Sequence, residues 1–208
     1  MRKNLILIGA GGHARSCIDV IEQEGKFKIT GIVGLESDLG LQVNGYEVIA
    51  TDKDLSTLIG KAQFALIALG QISSPDARVS LLQRALKAGF GLASVVSPSA
   101  YVSPSAQIGR GTIVMHGAII NYGVKVGSNC IINSRALLEH DSLVSDNCHI
   151  STGAILNGGV IVDEGCFIGS GTIVKEGVSI GEHSLIGMGS LLRANLSPNS
   201  RFLGESLT

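Results

Sequence analysis

The sequence predicts a small parallel α/β domain over residues 1–95, followed by a parallel β-helix over residues 96–208. Three observations carry this reading. In the first part, strand-sized aliphatic runs alternate with amphipathic helical segments. From Val96 onward an aliphatic residue stands at every sixth position, 17 times without an insertion or a loss. The chain holds 28 Gly but only 4 Pro, with 45% hydrophobic residues. A repeating tight turn explains that bias better than disorder does.

The elements follow in order. Leu5–Ile8, Ile29–Val33, Phe64–Leu69 and Leu92–Val96 read as strands, and Ala14–Glu24 and Asp76–Ala88 as helices. The second helix places Val79, Leu82 and Leu86 on one face. Together they make a small Rossmann-like parallel sheet. After the first strand comes Gly9-Ala10-Gly11-Gly12-His13-Ala14, the pattern G-x-G-x-x-A at a strand-to-helix turn. Glycines there let the backbone approach a phosphate at a helix N-terminus. A redox dinucleotide also needs an acid at the end of the second strand, where this chain has Ile32-Val33-Gly34-Leu35 and its first acid at Glu36. The diphosphate of a nucleotide-sugar fits better, and a purely structural turn is the remaining reading.

In the repeat, the aliphatic positions run from Val96, Val102 and Ile108 to Ile180, Ile186 and Leu192. Four residues after each stands Ala, Thr, Ser, Cys or Val, with Leu196 at the last step. Each hexad supplies one short strand and a turn, and three hexads close a triangular coil with both residues pointing inward. By analogy with hexapeptide-repeat proteins the coil is left-handed, giving a left-handed parallel β-helix. Cys130, Cys148 and Cys166 are 18 residues apart. They stack at the inward small position, as small hydrophobes rather than metal ligands.

Composition narrows the function. Lys+Arg is 16 against 17 Asp+Glu, aromatics are 4% and Trp is absent. A nucleic-acid binder with a basic surface and stacking aromatics does not fit. No apolar run approaches the ~18 residues of a membrane span. Met1-Arg2-Lys3-Asn4 leads into a strand rather than a signal peptide, and four Cys do not suggest a disulfide framework. A cytoplasmic protein is expected.

Among five His, His140 is the third residue of its hexad, outside the inward positions. Glu139 and Asp141 flank it. An imidazole beside a carboxylate suits general-base work near neutral pH, since the acid orients the ring and supports proton uptake. A solvated surface His has the same spacing. His149 lies half a coil further and meets His140 only across a subunit interface. Zinc would need three converging imidazoles, and the spacings of 24, 9 and 34 between His116, His140, His149 and His183 do not supply them. No metal is expected.

These motifs resemble a known family over nearly the whole chain: the bacterial sialic acid O-acetyltransferase and bacillosamine N-acetyltransferase group of hexapeptide-repeat enzymes. The resemblance rests on Ile6-Leu7-Ile8-Gly9-Ala10-Gly11-Gly12-His13, on Leu69-Gly70, and on Ile132-Asn133-Ser134-Arg135-Ala136-Leu137-Leu138-Glu139-His140-Asp141. His149-Ile150-Ser151-Thr152-Gly153-Ala154 follows at the family's distance. The resemblance implies transfer of acetyl from acetyl-CoA to an amine or hydroxyl of a nucleotide-activated sugar. It places the general base on His140 and its supporting acid on Asp141. Sugar-nucleotide contacts fall on Gly11, Gly12, His13, Gly70 and Asn133, and acetyl-CoA contacts on His149, Gly158, Ser170 and Met188. Gly158 would offer its N–H to the developing oxyanion. The family is trimeric, with acetyl-CoA between two prisms and surface glycans as its usual destination. An N-acetyltransferase on a 4-amino sugar is expected. O-acetylation of a sialic or related nonulosonic acid is the alternative, and a non-catalytic scaffold trimer a third reading. Two departures stand out. Gly34-Leu35 replaces the paired acids of many members, and Arg201–Thr208 lacks the usual Gly-x-Pro-Ala-Lys ending.

Overall fold

In the computed structural model, which describes residues 2–204, the first aliphatic run becomes β1 (Lys3–Ile8), its last four residues fully buried. α1 (Gly12–Glu24) follows and buries Ala14, Cys17, Ile18 and Ile21, an i, i+3, i+4, i+7 stripe. Gly25 ends it in the left-handed region, its N–H donating to Ile21 O at 3.0 Å. Then come β2 (Phe27–Gly34), β3 (Gln42–Val43), β4 (Tyr46–Thr51), β5 (Phe64–Ile67), α2 (Asp76–Ala88) and β6 (Gly91–Leu92). The sheet order is β3-β4-β2-β1-β5-β6, parallel except for the β3–β4 pair.

Several boundaries differ from the sequence reading. The third expected strand stops at Ile67, and the fourth divides into Gly91–Leu92 and Val95–Val96. The β3–β4 hairpin was not expected. Its signal was Asn44-Gly45, both at positive φ (48° and 82°), as a two-residue hairpin turn requires. On α2 the buried residues are Arg78, Leu82 and Ala85, while Leu86 is exposed. The reason is that Arg78 turns inward and donates from Nη1 to the carbonyls of Ile67, at 3.0 Å, and Leu69. These carbonyls close the end of β5, and their bonds to Nη1 offset part of the cost of burying the guanidinium.

The chain forms two compact units: residues up to Gly70 together with Asp76–Val96, and Gln71–Pro75 together with the residues from Ser97 onward. The second unit is the left-handed β-helix. Each strand is two residues long and pairs in parallel with the strand one coil later, as Ile113↔Ile131 and Ile119↔Leu137. The aliphatic series is buried from Val114 to Leu192, and so are the small positions from Thr112 to Ser190. At fixed intervals of six, from Gly111 to Gly189, one turn residue takes positive φ. Glycine fills most of these slots, and Asn129, Arg135, Asp141, Asn147 and His183 fill the rest. Among the described residues no helix is long and apolar enough to cross a membrane. Glu205–Thr208, the end of the departing C-terminal segment, lie outside the described residues.

The three stacked cysteines are fully buried, and their Sγ atoms donate to the carbonyls of Ser145, Asp163 and Gly181 at 3.0–3.2 Å. Burial, reinforced by its two neighbouring thiols, pushes the Cys148 thiol well above its ordinary range. Burial raises Cys17 to about 12. The hydrogen bond with Cys148 lowers the Cys166 thiol, but all four sulfurs are buried, so native protein should show no fast-reacting thiol with a disulfide reagent, and all four should react once it is unfolded. A rapidly labelled thiol in native protein would contradict this packing.

Candidate functional site

The prism has three faces; His140, Asp141, Gly158, Asn133, Ser170 and Met188 lie on the edges between them, and His149 lies in a strand of one face. One edge joins the face holding Leu137–Leu138 to the face holding Leu143–Val144. His140 and Asp141 form the turn there. His140 Nδ1 lies 3.0 Å from Asp141 Oδ2, and both side chains are about two-thirds exposed (66% and 68%). A carboxylate only accepts, so Nδ1 is the donor in this contact and Nε2 is the ring nitrogen turned away from Asp141. Asp141 occupies a positive-φ slot (60°) that is glycine on neighbouring coils, at Gly123, Gly159 and Gly177. Glu139 turns elsewhere: its Oε2 accepts from Asn121 Nδ2 at 2.8 Å.

Glycines on both sides make room for this pair. A Cβ on Gly158, one coil above, would lie 2.6 Å from His140 Cε1 and Nε2. A Cβ on Gly123, one coil below, would lie 2.7 Å from Asp141 Oδ1. The imidazole thus rests on the Gly158 backbone, whose N–H has no acceptor among the described residues.

Ser170 and Met188 do not share this edge. They form turns on the edge joining the faces of Phe167–Ile168 and Ile173–Val174, and Met188 is 82% exposed. Asn133 lies on the same edge two coils below Ser170, and Ser170 Oγ is 2.8 Å from Ser151 Oγ. His149 is buried rather than open. Its Nδ1 meets the carbonyl of Gln71 at 2.7 Å, and its Nε2 meets Asn133 Nδ2 at 3.1 Å. A carbonyl accepts and an amide NH2 donates, so these partners hold the ring neutral with the proton on Nδ1. Phe167 packs edge-on against it at 5.2 Å. Between the two edges lies an apolar face: Tyr101, Ile119, Leu137, Ile155, Ile173 and Leu191 point outward, four of them 40–55% exposed.

The first unit carries its own cavity of about 700 Å³ beyond the carboxyl ends of the parallel strands, reaching Gly9–Gly11. Gly11 caps α1 without a side-chain hydrogen bond, and the first turn holds no acid. A Cβ on Gly11 or Gly12 would meet nothing within 4 Å, so the helix N-terminus faces open space. Gly9 is required for a different reason. At φ 120° its missing Cβ would press on the backbone of Ala68 and Leu69 at 3.0 Å. Gly70 lies against His13 Cβ, 3.7 Å from where its own Cβ would be. The cavity also holds acids that the strand-end rule did not assign: Glu36, Asp38 and Asp52. Asp38 Oδ2 accepts from Leu35 N at 3.0 Å, and Asp52 pairs with Arg84 at 2.5 Å. Glu36 is the carboxylate left to meet hydroxyl donors.

Residues 4–84 match the family described as the PglD N-terminal domain. Residues 95–140 match the six-repeat bacterial transferase hexapeptide, and residues 159–194 the hexapeptide repeat of succinyl-transferase. No curated sequence matches the chain. Among solved structures it is similar to a histidine-to-asparagine mutant of perosamine N-acetyltransferase from Caulobacter crescentus in complex with CoA and GDP-perosamine. That pair shares 31% identity over 95% of this chain and 92% of the other, with a TM-score of 0.89. It is also similar to the acetyltransferase domain of PglB from Neisseria gonorrhoeae FA1090 in complex with acetyl coenzyme A, at 29% identity, 97% and 96% coverage, and TM-score 0.87. WeeI from Acinetobacter baumannii AYE, at 19% identity and TM-score 0.85 over 96% of each chain, shares the fold.

Proposed function

Because the chain belongs to the hexapeptide-repeat sugar acetyltransferases that include the perosamine and bacillosamine enzymes, which take acetyl from acetyl-CoA, we propose that it acetylates the amino group of a nucleotide-activated 4-amino sugar in surface-glycan synthesis. The observation that carries this is the His140–Asp141 pair. Nδ1 donates to the carboxylate, and Nε2 is left as the base at an exposed edge.

In the reaction, His140 Nε2 takes a proton from the sugar amine as its nitrogen attacks the thioester carbon. The carbon–sulfur bond then breaks, and the imidazolium returns the proton to the departing CoA thiolate. Gly158 N–H donates to the carbonyl oxygen as its charge develops. Asp141 holds the ring and offsets the imidazolium charge. The N-terminus of α1 at Gly11, Gly12 and His13 receives the diphosphate, with Gly70 beside it and Glu36 toward the ribose. The relative named above as a histidine mutant holds CoA and GDP-perosamine together. That supports direct transfer between two bound substrates rather than an acyl-enzyme.

Ser170, Met188 and the Asn133–His149 pair sit on the opposite edge of the exposed apolar face from His140. One CoA reaches both sets if it lies between two prisms whose apolar faces pack in a cyclic trimer. Sedimentation should give three copies, and charge placed at Ile119 should yield monomers with little activity.

Free-thiol release from acetyl-CoA with parallel acceptors tests the reaction. Release with a GDP- or UDP-linked 4-amino sugar is expected. Release with CMP-sialic acid alone would make the enzyme an O-acetyltransferase, and silence with all of them would sink the proposed substrates. Gly158→Ala should lower kcat by roughly tenfold to a hundredfold, because its methyl displaces the imidazole from its rest. The melting temperature should hold, since His140 is a surface side chain that can swing aside.

A further inference from the structure

We infer that Lys175 and Arg193 hold the diphosphate of the CoA donor, in a groove that climbs the prism edge from the His140 site. The inference rests on the proposed role of His140 as the marker of the acetyl end.

The residue after each inward aliphatic position forms a column on this edge: Asn121, Glu139, Asn157, Lys175 and Arg193, at 18-residue intervals. The column changes character along the prism. Asn121 and Glu139 are tied to each other, and Asn157 Nδ2 donates to Val174 O at 2.7 Å. The two cations above are exposed and form no ion pair among the described residues. They line a groove of about 500 Å³ that begins at Asn157, beside Gly158, and has Ile173 and Leu191 along its apolar wall.

Distance and chemistry fit one ligand. Coils stack at roughly 4.8 Å, which puts Lys175 about 10 Å and Arg193 about 14 Å above the level of His140. A pantetheine arm, about as long as four extended residues, spans roughly 14 Å between its sulfur and its phosphates. With the sulfur at His140, the diphosphate arrives at Arg193 and Lys175. The gem-dimethyl and methylene groups then pass Ile173 and Leu191. Glu176, also in the groove, is placed to accept an amide N–H of the arm.

Calorimetric titration of the intact protein with CoA and with 3′-dephospho-CoA tests this without an acceptor. Lys175→Gln and Arg193→Gln should each weaken both ligands about tenfold, and the double variant more than either. Lys175→Arg should restore most of the affinity, and Lys125→Gln, on another face, should change nothing. Tight CoA binding unaltered by the double variant would overturn the assignment and leave the transfer reaction standing. Weakening seen with CoA but not with dephospho-CoA would also overturn it, since the 3′-phosphate would then be the group held. A wild-type protein that binds no CoA would remove the proposed function as well.

Discussion

His140→Ala is expected to reduce kcat by about 10²- to 10⁴-fold, the range for removing a positioned general base. The KM values for acetyl-CoA and for the sugar should change little. The side chain is two-thirds exposed and makes one hydrogen bond, to Asp141, so its removal opens no cavity and leaves no buried group unpaired. The melting temperature should therefore be unchanged, which separates a catalytic loss from an unfolding one. Asp141→Asn should lose less. An amide can still accept from Nδ1–H, but it does not offset the imidazolium charge, and it can flip to favour the wrong tautomer. Near-normal turnover by His140→Ala would remove the residue from the role. A broad loss of binding in both variants would reassign the pair to substrate capture.

Gly12→Asp should raise the KM for the nucleotide-sugar by roughly a hundredfold and leave that for acetyl-CoA alone. Gly12 is the first residue of α1, in a turn without an acid, and a Cβ there meets nothing. The new carboxylate therefore fits without strain and suits the positive end of the helix dipole, so the fold should hold or gain slightly in stability. What it opposes is a diphosphate in the same place. Two like charges about 4 Å apart near a surface repel by up to about 4 kcal/mol, which the screening of a partly open cavity reduces. Gly12→Ala, with the same steric change and no charge, should have a much smaller effect. Equal losses from both variants would mean that shape, not charge, governs this turn. Unaltered sugar binding in Gly12→Asp would place the diphosphate elsewhere.

Legibility was uneven, and the unevenness has a physical origin. The repeat was readable throughout because its period is a local constraint. Once hexads close a coil, a residue's neighbours are those 18 positions away. The cysteine ladder, the placement of Gly158 above His140, and the stacking of Ser170 with Met188 follow from that arithmetic. The strand-to-helix turn was readable because glycines mark it. Less was visible where one side chain overrides a pattern. Leu86 fits the apolar stripe of α2, yet Arg78 takes the buried place because the carbonyls at the end of β5 need its donors. The β3–β4 hairpin was signalled by Asn44-Gly45, but its strands are too short to show a period. Glu36 was visible as the first acid after the second strand, and only the turn that follows Leu35 brings it to the cavity.

By itself, then, the sequence determined the two architectures, the inward and outward positions of every coil, and the column on which His140 and Asp141 stand. The tertiary structure decided which polar atoms meet. It gave the His140 ring to Asp141 and not Glu139, and set Glu139 against Asn121. It closed His149 beneath the carbonyl of Gln71, 78 residues away. A period fixes where a side chain leaves the backbone. Its partner depends on the path of chain segments that no period links, and on which buried donors and acceptors must be satisfied there.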